Sequence, residues 1–213
     1  MKERPLRILL ADDHALVRAG TKEILSREVR AEFVETVDAR ATIDAACNQG
    51  PWDVILLDIT MPGRSGLDVL CDLKKSCPKT PILMLSAHEE EQFAMRALRA
   101  GASGYLSKSG PPSELIKGVV KVLGGGQYVS EKFAEALALT LQRGKKGRSH
   151  ESLSAREFEV LRMIVHGKSG KEIASELSIS FKTVSTYRTR LMDKLGVHSN
   201  AQLAQYAARE DLV

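Results

Sequence analysis

The stretch VILLDITMPG at residues 54–63 decides the fold. Its four leading apolar residues, two of them β-branched, predict a strand that is buried on both faces, as in a parallel sheet. The Met-Pro-Gly turn then ends the strand, because proline cannot donate a ladder hydrogen bond. Asp58 is therefore expected at the carboxyl end of a buried strand, where the apolar pattern gives no reason for an acid.

Polar residues also follow the neighbouring predicted strands. The strand at 6–11 runs into Asp12 and Asp13, and two later strands end near Ser86 and Lys108. In an open parallel sheet, ligands bind in the crevice outside the carboxyl ends of the strands. We therefore expect three acids, a hydroxyl and an amine to share one site. For any one of these acids alone, a solvated residue at a strand end is the alternative.

Strand-like and helix-like segments alternate five times through the first half of the chain. Strands are predicted near 6–11, 32–38, 53–58, 81–86 and 104–107, and helices near 14–27, 39–49, 65–76, 89–100 and 111–123. Five β-α units of this length predict an α/β fold, a doubly wound five-stranded parallel sheet with helices on both faces. From Leu153 onward the periodicity is helical only, which predicts a small all-α domain.

A polar segment separates the two halves. The predicted domains are residues 1–125, a helical and basic linker at 126–150 with a helix near 130–142, and residues 151–213. Residues 141–150 carry four basic and no acidic side chains, so most of the net charge of +4 lies there. The basic residues are Arg143, Lys145, Lys146 and Arg148. A solvated linker and a phosphate contact are both compatible with this charge.

Composition excludes several classes of protein. A hydrophobic content of 43% and a charged content of 27% are ordinary for globular domains. No apolar run approaches the roughly 20 residues that span a bilayer, and the first strand begins too early to leave room for a signal peptide. Cys47, Cys71 and Cys77 lack the spacing of a metal site and are expected as reduced thiols. We expect a cytoplasmic protein without membrane contact.

The predicted acid site suits phosphoryl chemistry. Three carboxylates in one crevice repel one another unless a cation lies among them. Oxygen ligands beside a phosphoryl group suit Mg²⁺, which keeps several waters and takes one or two carboxylates. Lys108 could pair with Asp58 or with phosphoryl oxygens, and Ser86 could donate a hydrogen bond to the same group. An aspartate flanked in this way is suited to accept a phosphoryl group as an aspartyl phosphate.

Four motifs carry a resemblance to a known family. They are DDH at 12–14, LDITMPGRSG at 57–66, LSA at 85–87 and GYLSK at 104–108. In this order they closely resemble the receiver domain of two-component response regulators, which has a flavodoxin-like fold. The resemblance implies that Asp58 is the phosphoacceptor and that Asp12, Asp13 and Asp58 bind Mg²⁺. The main-chain carbonyl of Thr60 is expected to complete the protein's share of the metal ligands.

The same resemblance assigns the residues that read the phosphoryl group. Ser86 is expected as the switch hydroxyl, Tyr105 as the aromatic switch and Lys108 as the phosphoryl-binding lysine. Taken alone, Tyr105 could equally be a partly buried aromatic residue with a hydrated hydroxyl. The sequence departs from the family at Ser109, because receivers often have proline after this lysine, so the conformation of the bond from Lys108 to Ser109 stays open.

The second half has the signals of a helix-turn-helix. Ser154 and Glu157 form a capping-box pattern that begins one helix, and Gly167 ends it. A second short helix follows, and Ser180 caps a third after a tight turn. Two short helices joined in this way predict a helix-turn-helix, although periodicity alone is equally compatible with a generic small helical bundle.

The third helix is rich in basic and small polar residues. Small hydroxyl residues there are surrounded by phosphate-seeking side chains, which favours nucleic-acid binding over a generic bundle. The phosphate-seeking residues are Lys182, Arg188, Arg190 and Lys194. The motifs LSxRE at 153–157, KEIA at 171–174, KTVSTY at 182–187 and KLGV at 194–197 closely resemble the LuxR-type DNA-binding domain. The resemblance places the helix-turn-helix at about 170–189. It implies base-edge contacts from Ser185, Thr186 and Thr189, and phosphate contacts from Lys182, Arg188 and Arg190.

Together the two halves resemble a response regulator of the NarL/FixJ family. The resemblance implies a transcription regulator, not an enzyme, that a sensor histidine kinase phosphorylates at Asp58. Phosphorylation is expected to control homodimer formation and sequence-specific binding to double-stranded DNA. The final helix, with Ala201, Leu203, Ala204 and Ala207 on one side, could pack between protomers or onto its own domain.

Two other functions compete with this interpretation. A Mg²⁺-dependent phosphatase with an aspartyl nucleophile resembles the haloacid dehalogenases, which usually carry a second acid two residues after the nucleophile. Here that position is Thr60, which argues against this chemistry. A DNA-binding protein whose receiver is only an unphosphorylated dimerisation module is the second alternative, and the intact acid set argues against it.

Overall fold

The computed structural model describes residues 4–62, 64–87, 91–131, 133–135, 149–210 and 212. The chain divides into two compact units, Met1–Gln142 and Arg143–Val213. The predicted helix at 130–142 lies largely outside the described residues. The four basic residues of the predicted linker, Arg143, Lys145, Lys146 and Arg148, lie wholly outside them.

The first unit is a doubly wound α/β fold, which confirms the predicted fold class. Its five strands form one parallel sheet in the order β2-β1-β3-β4-β5. The strands are β1 (Leu6–Ala11), β2 (Ala31–Thr36), β3 (Val54–Asp58), β4 (Ile82–Ser86) and β5 (Gly104–Ser107). The helices are α1 (Ala15–Ser26), α2 (Ala39–Asn48), α3 (Gly66–Ser76), α4 (Glu91–Arg99) and α5 (Pro112–Leu123). The strand order reverses between β1 and β3, which is where such sheets bind ligands.

Burial explains why the first four residues of β3 are all apolar. Val54 and Leu56 join a core cluster with side chains from β1, β4, α1 and α5 on one face of the sheet. Ile55 and Leu57 alternate with them toward the other face and are also completely buried. Because the strand has no solvent-exposed side, Asp58 at its end is enclosed as well.

The chain after α5 packs against the edge of the sheet. The amide of Tyr105 donates a 3.0 Å hydrogen bond to the carbonyl of Tyr128. A Cβ on Gly104 would lie 2.5 Å from that same carbonyl oxygen, so the close approach needs glycine at this position. The first residues of the predicted linker therefore extend the packed structure of the first unit.

The second unit is all-α in the part that the structure describes. A short 3₁₀-helix (Ser149–Ser152) precedes α6 (Ala155–Val165), α7 (Gly170–Glu176), α8 (Phe181–Leu195) and α9 (Asn200–Arg209). The capping box of Ser154 and Glu157 is present, and Ser180 caps α8, both as predicted. Ser178 has a φ of 52° in the turn between α7 and α8, which gives the predicted helix-turn-helix its sharp bend.

A residue of the predicted linker packs inside the second unit. His150, predicted in the linker, is buried and its amide donates a 3.2 Å hydrogen bond to Tyr206 Oη.

In α9, Leu203 and Ala207 are completely buried within the unit, which is one of the two roles expected for that helix. Among the described helices, none has both the length and the apolar character that crossing a bilayer requires.

Candidate functional site

The loop after β3 fixes the position of Asp58. Asp58 is the last residue of β3 and is 1% exposed. The amide of Ile59 continues the ladder with a 3.0 Å hydrogen bond to Leu85, and Gly66 returns with a 2.7 Å bond to the Ile59 carbonyl. A Cβ on Gly66 would lie 1.9 Å from the Asp58 carbonyl oxygen. Glycine at the start of α3 is therefore what lets the turn close behind the carboxylate.

Three acids converge at this edge of the sheet, as the sequence predicts. Asp12 follows β1 directly and is completely buried, whereas Asp13 is partly exposed. Asp12 Oδ1 accepts a 2.9 Å hydrogen bond from the amide of His14, which orients the carboxylate. One candidate ligand atom from each of Asp12, Asp13, His14 and Asp58 lies within 4.8 Å of the others. The sequence interpretation gave no role to His14, although it directly follows the acid pair.

Lys108 bridges the two buried acids. Its Nζ lies 2.6 Å from Asp12 Oδ2 and 2.8 Å from Asp58 Oδ2. The amide of Lys108 donates a 2.6 Å hydrogen bond to the carbonyl of Ser86, which joins the ends of β4 and β5. The side chain is thus anchored at its base and holds its charge among the acids.

The environment of Asp58 disfavours its charged form. Burial raises the pKa of Asp58 to about 6, and the negative charge of Asp12 acts in the same direction. The ammonium of Lys108 and the amide of Thr60, which donates to Asp58 Oδ1 over 3.2 Å, oppose this rise in pKa only in part. Burial therefore dominates over the ion pair with Lys108 in setting the pKa of Asp58.

The donor set fits a hard divalent cation. Three carboxylates face one ammonium, which leaves two formal negative charges in the cluster of Asp12, Asp13, Asp58 and Lys108. All three acids offer oxygen, the ligand that Mg²⁺ prefers in proteins. Receiver domains generally bind Mg²⁺ in such an acidic pocket. The imidazole of His14 is a softer ligand that is 2.8 Å from Asp13 Oδ1.

The remaining predicted site residues lie at different distances from this cluster. Ser86 is the completely buried last residue of β4 and is paired in register with Ser107. Thr60 is joined to Asp58 through its amide. Tyr105 is buried within β5, in register with Met84 of β4. The structure thus gathers the acids and Lys108 into one cluster, with Ser86 and Thr60 attached to it through backbone contacts.

The Lys108–Ser109 peptide bond is trans. In the described part of the chain the cis bond is Gly50–Pro51. Ser109 Oγ lies 2.7 Å from Ser107 Oγ, and its amide also donates to that hydroxyl over 3.3 Å. Hydroxyl contacts from Ser107 therefore hold the loop where many receivers have proline.

The six predicted DNA-contacting residues lie on α8 and are all exposed: Lys182, Ser185, Thr186, Arg188, Thr189 and Arg190. Ser185 Oγ donates to the carbonyl of Phe181 over 3.1 Å, and Thr186 Oγ1 donates to Lys182 over 3.0 Å. Because their hydrogens are donated to these carbonyls, the two exposed hydroxyl oxygens can act as acceptors, which suits the amino groups of cytosine and adenine.

Arg188 has a partner that the sequence did not indicate. Its Nε and Nη2 donate hydrogen bonds of 3.0 and 2.9 Å to Asn200 Oδ1, at the start of α9. Asn200 is twelve residues away, so only the packing of α9 against α8 reveals the contact. The amide side chain holds the guanidinium in one orientation while leaving its other N–H groups available.

Lys194 has a structural partner rather than an outward-facing charge. The sequence counts it among the phosphate-seeking residues, but its Nζ lies 2.7 Å from Glu157 Oε2 and 3.2 Å from the carbonyl of Ser152. Glu157 is 3% exposed as a side chain and belongs to the capping box of α6. Lys194 therefore ties α8 to α6 instead of projecting from the recognition surface.

The sequence matches two family models in the same order as the two units. Residues 8–120 match the response regulator receiver domain, and residues 151–207 match the bacterial regulatory proteins of the luxR family. The first match contains the acid cluster and Lys108. The second contains every predicted DNA-contacting residue.

Relatives extend the similarity over nearly the whole chain. Response regulator UvrY of Escherichia coli (strain K12) is 35% identical over 208 residues, covering 97% of this chain and 95% of UvrY. Oxygen regulatory protein NreC of Staphylococcus carnosus (strain TM300) is 35% identical over 215 residues, covering 98% of this chain and 99% of NreC. RcsB from Salmonella enterica serovar Typhimurium, solved bound to a promoter in the presence of the phosphomimetic BeF3⁻, gives a TM-score of 0.61 at 28% identity and covers 95% of this chain and 98% of RcsB.

Proposed function

Because the chain belongs to the NarL/FixJ family of response regulators, we propose that it regulates transcription through phosphorylation of Asp58 by a sensor histidine kinase. The observation that carries this proposal is the ion pair between Asp58 and Lys108 at the end of a buried strand, with Asp12 and Asp13 beside it. A buried carboxylate held in this way is suited to attack a phosphoryl group that enters the crevice.

Each residue of the site has its own part in phosphoryl transfer. A carboxylate oxygen of Asp58 attacks the phosphorus, and the bond from phosphorus to the donor's imidazole nitrogen breaks as the acyl phosphate forms. Lys108 then exchanges its contact with Asp58 Oδ2 for one with the phosphoryl oxygens. Asp12, Asp13, Asp58 and the Thr60 carbonyl would hold Mg²⁺, which supplies charge neutralisation for the incoming group when bound.

The new charge is read at the ends of β4 and β5. A phosphoryl group adds about −1.5 to −2 charge and strong acceptor oxygens. Ser86, next to Asp58 across the sheet edge, donates its hydroxyl hydrogen to one of these oxygens. Tyr105 then moves into the space behind Ser86, and this repacking alters the surface of the first unit.

The readout is DNA binding by paired second units. One helix-turn-helix offers one recognition helix and few phosphate contacts, so its affinity alone is weak. Phosphorylated receivers that form a homodimer make the second DNA contact effectively intramolecular. RcsB, a protein of the same architecture, was solved bound to a promoter in the presence of a phosphomimetic, which supports DNA binding in the phosphorylated state.

Intact-mass measurement tests the phosphoacceptor. The full chain is incubated with Mg²⁺ and a small phosphodonor, and one phosphoryl adduct that alkaline hydroxylamine removes is expected. Asp58→Asn should abolish the adduct, whereas Asp72→Asn, at an exposed aspartate paired with Arg64, should retain it. An adduct of the same stoichiometry in the Asp58→Asn variant would disprove the assignment. Steady hydrolysis of a phosphomonoester would instead support the aspartyl phosphatase alternative.

A further inference from the structure

Phe181 is an exposed aromatic residue at the first position of the recognition helix. It begins α8, and 57% of its surface is exposed. In the described part of the chain, the other exposed large apolar residues, Leu16, Val37 and Val120, belong to the first unit. Single exposed apolar side chains are common and need no explanation by themselves. Phe181 differs from the others because it lies at the end of α8 that enters the major groove in a helix-turn-helix.

A glycine on the neighbouring helix seats the ring of Phe181. A Cβ on Gly170, the first residue of α7, would lie 2.7 Å from Phe181 Cε2 and 3.3 Å from Cδ2. The ring therefore lies directly against the backbone of α7, in space that exists only because residue 170 has no side chain. The φ of Gly170 is not positive, so backbone conformation does not explain this glycine. Contact with the Phe181 ring explains why residue 170 is glycine.

The seated ring adjoins the predicted base-reading residues. Ser185 lies one turn further along α8 and donates its hydroxyl to the Phe181 carbonyl over 3.1 Å, so the two side chains are neighbours on one side of the helix. Hydroxyl and basic residues read hydrogen-bonding groups, and the methyl groups of Thr186 and Thr189 can also contact a thymine methyl group, but none of the six predicted contacts offers an aromatic surface. Phenylalanine is one of the side chains that make this apolar contact in the major groove.

We propose that Phe181, held on Gly170, contacts the C5-methyl group of a thymine in each half-site and thereby determines specificity. The inference rests on the proposed function, because it requires α8 to enter the major groove. It adds an aromatic contact with thymine to a surface whose other predicted contacts come from hydroxyl and basic side chains. A purely structural role for Phe181 would affect stability and overall DNA affinity but would not distinguish thymine from uracil.

Thymine-to-uracil substitution tests the contact, since deoxyuridine lacks only the C5-methyl group. A binding site is first selected from random duplexes with the phosphorylated full chain. Each thymine is then replaced singly by uracil. The Kd for the uracil duplex is divided by the Kd for the thymine duplex, and this uracil-to-thymine ratio is compared between variants. The affinity of the wild-type protein should fall about fourfold at one thymine position per half-site, because one methyl group is removed from an apolar contact. Phe181→Ala should show a ratio near one at that position.

Three variants separate recognition from folding. Phe181→Leu keeps an apolar side chain at this position and should retain part of the ratio. Gly170→Ala should displace the ring and lower the ratio while leaving the melting temperature unchanged, because alanine is favourable in a helix. Arg190→Ala should weaken binding to all duplexes and keep the wild-type ratio.

The outcomes distinguish this inference from the function on which it rests. Equal ratios in wild type and Phe181→Ala, or a selected half-site without thymine, would overturn the role of Phe181 while leaving sequence-specific binding intact. Failure of the phosphorylated chain to select any sequence would overturn the proposed function and this inference together.

Discussion

The ammonium of Lys108 lies 2.8 Å from the buried carboxylate of Asp58, in the crevice at the carboxyl ends of β1, β3 and β5. The same ammonium lies 2.6 Å from Asp12, a candidate magnesium ligand. In the proposed function, Lys108 competes with the metal for the acids before phosphorylation and binds the phosphoryl group after it. This double role makes separate predictions for metal binding and for signalling.

Removal of the Lys108 charge is expected to strengthen magnesium binding. Lys108→Met keeps an unbranched side chain and leaves three acids without a competing ammonium. Charge pairs at about 4 Å are worth a few kcal/mol at the edge of a protein, of which the metal recovers a part. We expect the Kd for Mg²⁺, measured by calorimetry on the full chain, to fall about tenfold. Lys74→Met, at a lysine bonded to the Thr80 carbonyl, is the control, and equal Kd values in all three proteins would contradict the competition.

Loss of the Ser86 hydroxyl is expected to separate phosphorylation from response. Ser86→Ala leaves Asp58, the acid pair and Lys108 in place, so the phosphoryl adduct should still form to wild-type stoichiometry. The gain in DNA affinity on phosphorylation should shrink, because the group that reads the new charge is gone. Intact mass and DNA binding are measured on the same sample, with Ser76→Ala, at the exposed last residue of α3, as the control. An undiminished gain would exclude Ser86 as the switch.

Asn200 is expected to act on DNA binding through Arg188. Arg188→Ala removes one phosphate contact per half-site and should lower the salt slope by about one per site. Asn200→Ala keeps that charge but frees the guanidinium from its 2.9 Å anchor, so affinity should fall while the salt slope stays as in wild type. Binding is measured between 50 and 200 mM salt, roughly the range over which phosphate contacts are resolved. A salt slope reduced equally in both variants would show that Asn200 does not act by positioning.

Glu157 is expected to stabilise the second unit only above acid pH. Burial would raise its pKa, but hydrogen bonds from Lys194 and Ser154 outweigh burial and lower the pKa below its ordinary value of 4.5. A lowered pKa in the folded state means that the stabilisation is present above pH 4.5 and disappears as pH falls through the folded value. Glu157→Gln should therefore lower the free energy of unfolding of the second unit by about 1–2 kcal/mol near pH 7 and leave it unchanged at low pH.

Hydrogen exchange of α6 and α8 amides measures this effect in the second unit alone. Glu176→Gln is the matched control, because Glu176 pairs with Lys168 on an exposed surface where such pairs contribute little. A difference between wild type and Glu157→Gln that persists unchanged to acid pH would contradict the charge-based explanation.

Sequence patterns predict most of the fold because its elements are long and regular. The strand of β3 is recognisable from four apolar residues and a turn, and Asp58 follows from where that pattern stops. The strands and helices of the first unit lie within a few residues of their predicted limits. In the second unit, the capping box of Ser154 and Glu157 identifies the start of α6. Acids at strand ends are then brought together by the topology of a parallel sheet.

Contacts between elements that are distant in sequence could not be predicted in this way. The pairing of Glu157 with Lys194 spans 37 residues, and that of His150 with Tyr206 spans 56. Neither has a local periodicity, because each depends on how one helix packs against another. The seating of Phe181 on Gly170 is of the same kind, since a glycine at the start of a short helix resembles any other turn residue.

DNA affinity measured on paired and single half-sites, with and without the phosphodonor, tests the central claim most directly. The full chain and Asp58→Asn are titrated against a duplex with two half-sites and a duplex with one. We predict a phosphorylation-dependent gain on the paired duplex that approaches the factor of about 10² to 10⁴ expected when the second contact becomes intramolecular. A much smaller gain is expected on the single half-site, and none for Asp58→Asn. Equal gains on both duplexes would contradict control of DNA binding through pairing, and a gain in Asp58→Asn would contradict control through Asp58.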